Sequence, residues 1–352
     1  MHIPPKGISP EKIISNMQQM RGQDADWRAG RTFSLVYFAS EEHTRLLKDA
    51  YSMFFSENGL SPMAFPSLRR FETETIAMVA DMLGGGPKTI GSMTSGGTES
   101  ILMALKTARQ WAREHKPDVT APEAVLPITV HPAFEKAVHY FDIKPVHIPI
   151  GDDYRADVEA ARKAVNDNTI LIVGSAPAYP HGVVDPIADL AAIAQENGIP
   201  CHVDACLGGF LLPWLKKLGN PIPDFDFSVP GVTSISADIH KYGFAAKGAS
   251  TVLYRDEELR KHQYFAYTEW PGGLYASPTA TGTRPGGAIA AAWATLQHMG
   301  QDGYLEIARK IMDISERVLV LNFGRTLVEG KPEEVQTHPE VVQAYLGEKK
   351  GA

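Results

Sequence analysis

The sequence predicts an α/β fold built on a mainly parallel sheet covered by helices, and three observations carry that prediction. Apolar runs such as Thr169-Ile-Leu-Ile-Val-Gly174 and Pro200-Cys-His-Val-Asp204 lack the polar alternation of a half-exposed strand; strands buried on both faces read this way. Stretches with helical periodicity lie between those runs, as parallel β-α-β units require. Finally, His131, Ser175, Asp204 and Lys241 all stand where a strand ends, and open α/β sheets bind ligands at the carboxyl ends of their strands.

Taken in order, the chain opens with a helical arm over residues 1–57. Glu11 to Met20 is amphipathic and Glu41 to Phe55 is again apolar at helix spacing. Between them lies Phe33-Ser-Leu-Val-Tyr37, in which Tyr37 is the most chemically useful residue. Phe65-Pro-Ser-Leu-Arg then opens a helix that stops at Gly84-Gly-Gly. Pro87-Lys88-Thr89 imitates the end of a nucleotide-binding loop, but proline stands where that loop needs glycine, so nucleotide binding is rejected there. Gly91-Ser-Met-Thr-Ser95-Gly96-Gly97-Thr98-Glu99-Ser100 runs straight into the apolar helix Ile101 to Trp111. Hydroxyls and glycines at a helix start leave backbone N–H groups and the positive end of the dipole facing an anion, with Thr98 a fair N-cap. Beyond it strands are expected at Ala124–Val130, Pro145–Ile150, Thr169–Gly174, Pro200–Asp204 and Val232–Ser236. Helices are expected from His131, over Asp157–Val165 and over Asp185–Asn197.

The composition is that of an ordinary globular protein, 44% hydrophobic and 21% charged over 352 residues. The 34 basic and 41 acidic residues leave a net charge of −7 with no basic run, which argues against nucleic acid or an anionic membrane as partner. No apolar run nears the roughly 18 residues of a membrane span, and the polar start offers no signal-peptide core; a cytoplasmic location is expected. Cys201 and Cys206 flank His202 and Asp204, but strand alternation sends 202, 204 and 206 one way and 201 and 203 the other, so no metal is expected.

The stretch Ser236-Ala-Asp-Ile-His240-Lys241-Tyr-Gly243 draws the chemistry together. A lysine on the turn after a short strand is held by backbone and suits covalent capture of an aldehyde. Burial near His240 and Lys247 would lower its pKa toward the reactive free amine. If the aldehyde is a pyridine aldehyde phosphate, Lys241 binds it, Asp204 keeps the ring nitrogen protonated, His131 stacks on the ring and Ser95, Gly96, Gly97 and Thr98 hold the phosphate.

With those motifs in hand, residues 31–314 resemble the pyridoxal-phosphate enzymes of the group II decarboxylase-like family, and within it the sphingosine-1-phosphate lyases. Glu41-Glu-His-Thr-Arg, Phe65-Pro-Ser-Leu-Arg, Thr94-Ser-Gly-Gly-Thr-Glu-Ser, His202-Val-Asp-Ala-Cys206, Ser236-Ala-Asp-Ile-His-Lys-Tyr and Trp270-Pro-Gly-Gly carry the resemblance. It implies the type I transferase fold of pyridoxal enzymes, a seven-stranded sheet over residues 58–314, with pyridoxal 5'-phosphate as cofactor. It further implies cofactor contacts from Ser175, Cys206 and His240, and substrate contacts from Tyr37, Asn58 and Lys247. Thr281-Gly282-Thr283-Arg284 resembles a segment that reaches the neighbouring subunit's phosphate site, implying a homodimer with shared active sites. The implied reaction is carbon–carbon cleavage of a phosphorylated long-chain amino alcohol, with surface contact to the lipid; amino-acid decarboxylation, or cofactor binding without turnover, are the alternatives.

Two departures qualify this. Asn58-Gly-Leu-Ser61-Pro-Met63 lacks a histidine and an acid that the lyases carry near the substrate. The expected small carboxyl-terminal domain does not follow Asp313; residues 316–347 instead resemble the tail of branched-chain amino-acid ABC transporter ATPases, without that family's nucleotide motifs. Residues 315–352 are accordingly read as an atypical tail, the product of a fusion or frame error.

Overall fold

The computed structural model describes residues 2–29, 32, 34–61, 63–314, 318–322, 325–330, 334–335 and 338–341. The chain divides into two compact units, the first ending at Phe38 and the second starting at Ala39. In the first, helix α1 (Pro10–Arg21) starts at Ser9, whose hydroxyl accepts the Lys12 N–H, and buries none of its side chains. Its other fixed point is a small cluster in which the Arg28 guanidinium lies 4.6 Å from the Trp27 ring, itself 5.8 Å from Phe38.

The second unit begins with α2 (Glu41–Met53), capped by Ser40, so the sequence boundary at residue 57 falls inside it. Next come α3 (Pro66–Met82), β1 (Ile90–Thr94), α4 (Gly97–His115), β2 (Glu123–Pro127), α5 (Ala133–Phe141), β3 (Lys144–Ile148) and α6 (Val158–Ala164). There follow β4 (Thr169–Ser175), α7 (Ile187–Glu196), β5 (Cys201–Asp204), α8 (Leu212–Lys217), β6 (Ser234–Ala237) and β7 (Ser250–Tyr254). The remainder comprises α9 (Glu257–Arg260), a short hairpin of β8 (Phe265–Tyr267) and β9 (Tyr275–Ser277), and α10 (Gly286–Ile314), which is broken at Gly300 by a φ of +53°. In the tail, β10 (Val318–Asn322) and β11 (Arg325–Gly330) pair antiparallel. Val318, Leu319 and Leu321, an apolar strand-like run in the sequence, fall in β10.

Seven strands form one sheet in the order β1-β7-β6-β5-β4-β2-β3, parallel except for β7, which runs against both neighbours. The expected fold class stands, and the strands read from sequence are all present. β1 and β7 were not foreseen: the first is hidden in a glycine- and hydroxyl-rich run, and the second lies between motifs.

Burial on both faces is visible in β4. Leu171 and Val173 pack with Ile101, Leu105 and Phe134 of α4 and α5, whereas a Cβ on Gly174 would stand 2.5 Å from Ile187 of α7. Successive residues point to opposite faces of a strand, so α4 and α5 cover one face and α7 the other. The α4/α5 face matters for function. His202 lies 6.0 Å from the Phe134 ring, and Asp204, two residues along β5, shares that face.

Candidate functional site

β4, β5 and β6 end side by side, with Ser175 opposite Asp204 and Asp204 opposite Ser236 in the sheet register. Asp204 is buried, and its Oδ1 accepts the Cys206 N–H at 3.0 Å and the Ser236 hydroxyl at 3.3 Å. Among the described residues, Oδ2 has no hydrogen bond. Beneath it, His202 is wedged between Ser234 and Ser236, 2.9 and 3.2 Å from their hydroxyls, and burial pushes its pKa down to about 4. A neutral imidazole therefore supports the carboxylate without competing for its charge. Ser175 is buried, its N–H donated to Asp185 at 2.8 Å, which pins the end of β4.

Lys241 leaves the turn after β6 with its Nζ 3.0 Å from Asp238 Oδ2. Burial acts to lower the pKa of this amine, but the carboxylates of Asp238 and Asp204 outweigh it and raise it overall. The expectation that His240 and Lys247 would depress the Lys241 pKa is thus overturned. Burial itself lowers the pKa of His240, so this ring adds no cationic field. Lys247 donates to the His240 carbonyl at 3.2 Å. The decisive charge is Asp238, 1% exposed, a residue that sequence reasoning passed over as part of the motif. Its three-residue spacing from Lys241 on a tight turn was the available signal. His240 completes the turn, taking the Ala249 N–H on Nδ1 with Nε2 3.6 Å from Asp238.

Opposite stands the start of α4. The N-cap is Gly96 rather than Thr98, and no side chain caps the helix, which leaves N–H groups of the first turn for a ligand. The Ser95 N–H is not among them, because Glu99 Oε2 accepts it at 2.6 Å. Ser95 and Thr98 are exposed. Gly97 must be glycine: a Cβ there would come within 2.8 Å of Asp238 and 2.9 Å of Cys206. Cys206 is buried, and burial with the two aspartates pushes its thiol pKa far up, so it packs as a neutral thiol.

Glu99 was also missed from sequence. Only 6% exposed, it holds the Ser95 N–H with one oxygen and the Ala280 N–H, at 3.0 Å, with the other. It thereby ties the helix-start turn to the segment containing Thr281, Gly282 and Thr283. Arg284 ends that segment in a two-pronged pair with Glu72, 2.8 Å on one prong.

His131 lies on the turn between β2 and α5, exposed, with Nδ1 accepting the Ala133 N–H at 3.1 Å. Asn58 is placed elsewhere: it lines a cavity of about 410 Å³ with Leu60, Glu72 and Arg284, to which Lys241, Asp204 and His131 do not contribute. Tyr37 belongs to the amino-terminal unit.

A group carrying an aldehyde, a ring nitrogen and a phosphate fits these residues. The Asp238 Oδ1 is buried with no hydrogen-bond partner, Asp204 keeps an acceptor oxygen, and the uncapped α4 start supplies anion donors. Such a site can bind a carbonyl on Lys241 and stabilise positive charge at Asp204.

Comparisons agree with that chemistry. A family model described as the pyridoxal-dependent decarboxylase conserved domain matches residues 3–321. A second, for branched-chain amino acid ATP-binding cassette transporters, matches residues 325–350. Sphingosine-1-phosphate lyase of Dictyostelium discoideum is 49% identical over 319 residues, covering 90% of this chain and 60% of that protein. A probable L-aspartate decarboxylase of Pyrococcus furiosus is 35% identical, over 90% of this chain and 82% of its own length. The solved sphingosine-1-phosphate lyase of Burkholderia pseudomallei superposes with a TM-score of 0.87 at 41% identity, covering 90% of this chain and 74% of that one. The chain therefore spans about three fifths of the Dictyostelium relative.

Proposed function

We propose that this chain, which belongs to the pyridoxal-dependent decarboxylase family, is a carbon–carbon lyase whose substrate is a phosphorylated long-chain amino alcohol such as sphingosine 1-phosphate. The observation that carries the proposal is the joint placement of Lys241, Asp204 and the uncapped start of α4 in a chain 49% identical to a named lyase of that substrate. Pyridoxal phosphate is the family's cofactor; when bound it supplies an electron-accepting ring next to the substrate Cα. Lys241 would hold its aldehyde carbon, Asp204 its ring nitrogen, Gly96, Gly97 and Thr98 its phosphate, and His131 a ring face, with Ser175, Cys206 and His240 lining the site.

The protein's own residues then have defined tasks. Asp238 stores a proton on Lys241 Nζ and orients the amine. Asp204, steadied by Ser236 and the Cys206 N–H, keeps negative charge at the far end of the site. Tyr37 and Lys247 are assigned to the substrate side. In the overall reaction the hydroxyl proton at Cβ is removed, the Cα–Cβ bond breaks and Cα gains a proton, giving a fatty aldehyde and phosphoethanolamine. The working unit is proposed to be a cytoplasmic homodimer, with Thr281, Gly282 and Thr283 of each subunit at the partner's phosphate site and the active-site mouth in contact with lipid. No helix among the described residues is long and apolar enough to cross a membrane. Residues 315–352 are assigned no part in the chemistry.

The second reading is decarboxylation of an amino acid, favoured by the match to most of the length of the probable L-aspartate decarboxylase. Product analysis separates the two. Protein loaded with pyridoxal phosphate should release a long-chain aldehyde from sphingosine 1-phosphate, and borohydride should fix the cofactor to the peptide holding Lys241. Carbon dioxide from aspartate with no aldehyde would replace the lyase reading by the second. Bound cofactor without either product would leave a non-catalytic chain.

A further inference from the structure

We propose that Glu114, His115 and His262 form a binding site for a divalent transition-metal ion of the zinc class. His115 and Glu114 close the carboxyl end of α4, and His262 lies in the one-turn helix Lys261–Gln263 that follows α9. One ligand atom from each of the three lies within 4.8 Å of the other two.

His115 is prepared in a way that an ordinary surface histidine is not. The His115 Nδ1 sits 3.0 Å from the Trp111 carbonyl oxygen, which can only accept, so this nitrogen carries the proton and Nε2 keeps its lone pair. Backbone carbonyls orient metal-ligating histidines in the same manner. Trp111 stacks on the His115 ring at 5.0 Å and 12°, fixing its plane. His262 is 8% exposed, and the nitrogen it turns to Glu114 is Nδ1, its Nε2 being buried without a hydrogen-bond partner among the described residues. Its Nδ1 is 3.8 Å from Glu114 Oε2. That is too long for a hydrogen bond and close to the roughly 3.4 Å between two ligands of a tetrahedral ion with ~2.1 Å bonds.

The Glu114 carboxylate divides its work. Lys261 lies 3.2 Å from Oε1, and Oε2 is the oxygen turned to His262. The ammonium fixes the carboxylate and lowers its donor strength, so micromolar rather than tighter binding is expected. Two imidazoles and one carboxylate favour zinc, cobalt or nickel over magnesium or calcium. An open cavity of about 360 Å³ lined by Arg113, Glu114, Lys261 and His262 gives solvent access to the carboxylate side of the site. Bound there, the ion would tie the far end of the helix that begins at Gly97 to the Lys261–Gln263 turn.

The test titrates untagged, cofactor-loaded protein with Co²⁺ and reads its visible ligand-field bands, then adds Zn²⁺. One Co²⁺ per chain, displaced by Zn²⁺, is expected. His115→Ala and Glu114→Gln change exposed positions and should each weaken uptake at least tenfold with the cofactor spectrum unchanged. Absence of saturable uptake at micromolar cobalt would overturn the proposal. Uptake equal to wild type in both variants would do the same, because it would identify adventitious surface binding.

Discussion

Replacing Asp238 with asparagine tests how the site sets the charge of Lys241. Asp238 is 1% exposed and lies 3.0 Å from Lys241 Nζ, so the variant keeps the shape and removes the charge. A hydrogen bond to a charged partner contributes about 1.5–3 kcal/mol, which at 1.36 kcal/mol per unit corresponds to a Lys241 pKa lower by roughly 1–2 units. Burial, the largest influence on this amine and one that lowers its pKa, is then less opposed. At any pH below the pKa the reactive free amine should rise ~10- to 100-fold. The assay mixes protein with pyridoxal phosphate and follows covalent capture by absorbance from pH 6 to 9. The Asn variant should capture faster per bound cofactor at low pH, its profile displaced toward acid. Stability gives a second reading. Because the folded pKa of Lys241 is raised, the stabilisation by the pair is fully present below the ordinary lysine pKa and is lost as pH rises through the raised value. The variant should therefore melt lower than wild type at neutral pH, with the gap closing only in strong alkali. Superimposable capture profiles would refute the reasoning, since Asp238 would then not govern the amine.

Three further outcomes are expected. Asp204→Asn should retain cofactor while turnover falls far more than affinity, measured by absorbance titration beside a product assay; near-normal turnover would remove Asp204 from its role. Glu99→Gln keeps one acceptor for two backbone N–H groups, so cofactor affinity should drop about tenfold and amide exchange quicken at both Ser95 and Ala280; unchanged exchange at Ala280 would contradict the bridging role. Phe134→Ala opens a cavity at a fully buried position between α5 and the sheet. A loss of ~3–5 kcal/mol in denaturant unfolding is expected, and a loss under 1 would mean the core there is not close-packed.

The periodicity of the chain by itself determined the parallel core, because strands buried on both faces and helices of 3.6-residue repeat leave their pattern in any single stretch. It also located Lys241, Asp204, Ser175 and His131, since each sits at the end of an element whose boundary is local. What the tertiary structure decided was which of these meet and with what charge. β1 and β7 escaped notice because their pairing joins Ile90–Thr94 to Ser250–Tyr254, some 160 residues apart. Asp238 and Glu99 were not singled out from sequence. Their functions come from burial and from a 3.0 Å approach to Lys241 Nζ and to the Ala280 N–H. The sign of the Lys241 pKa shift went wrong for the same reason. Coulomb interactions depend on distance and on exclusion of water, and one near carboxylate outweighed two neighbours that sequence placed equally close. Packing likewise set Asn58 in a cavity that Lys241 does not line. Sequence adjacency names the groups of such a site; only the folded chain sets the distances at which they act.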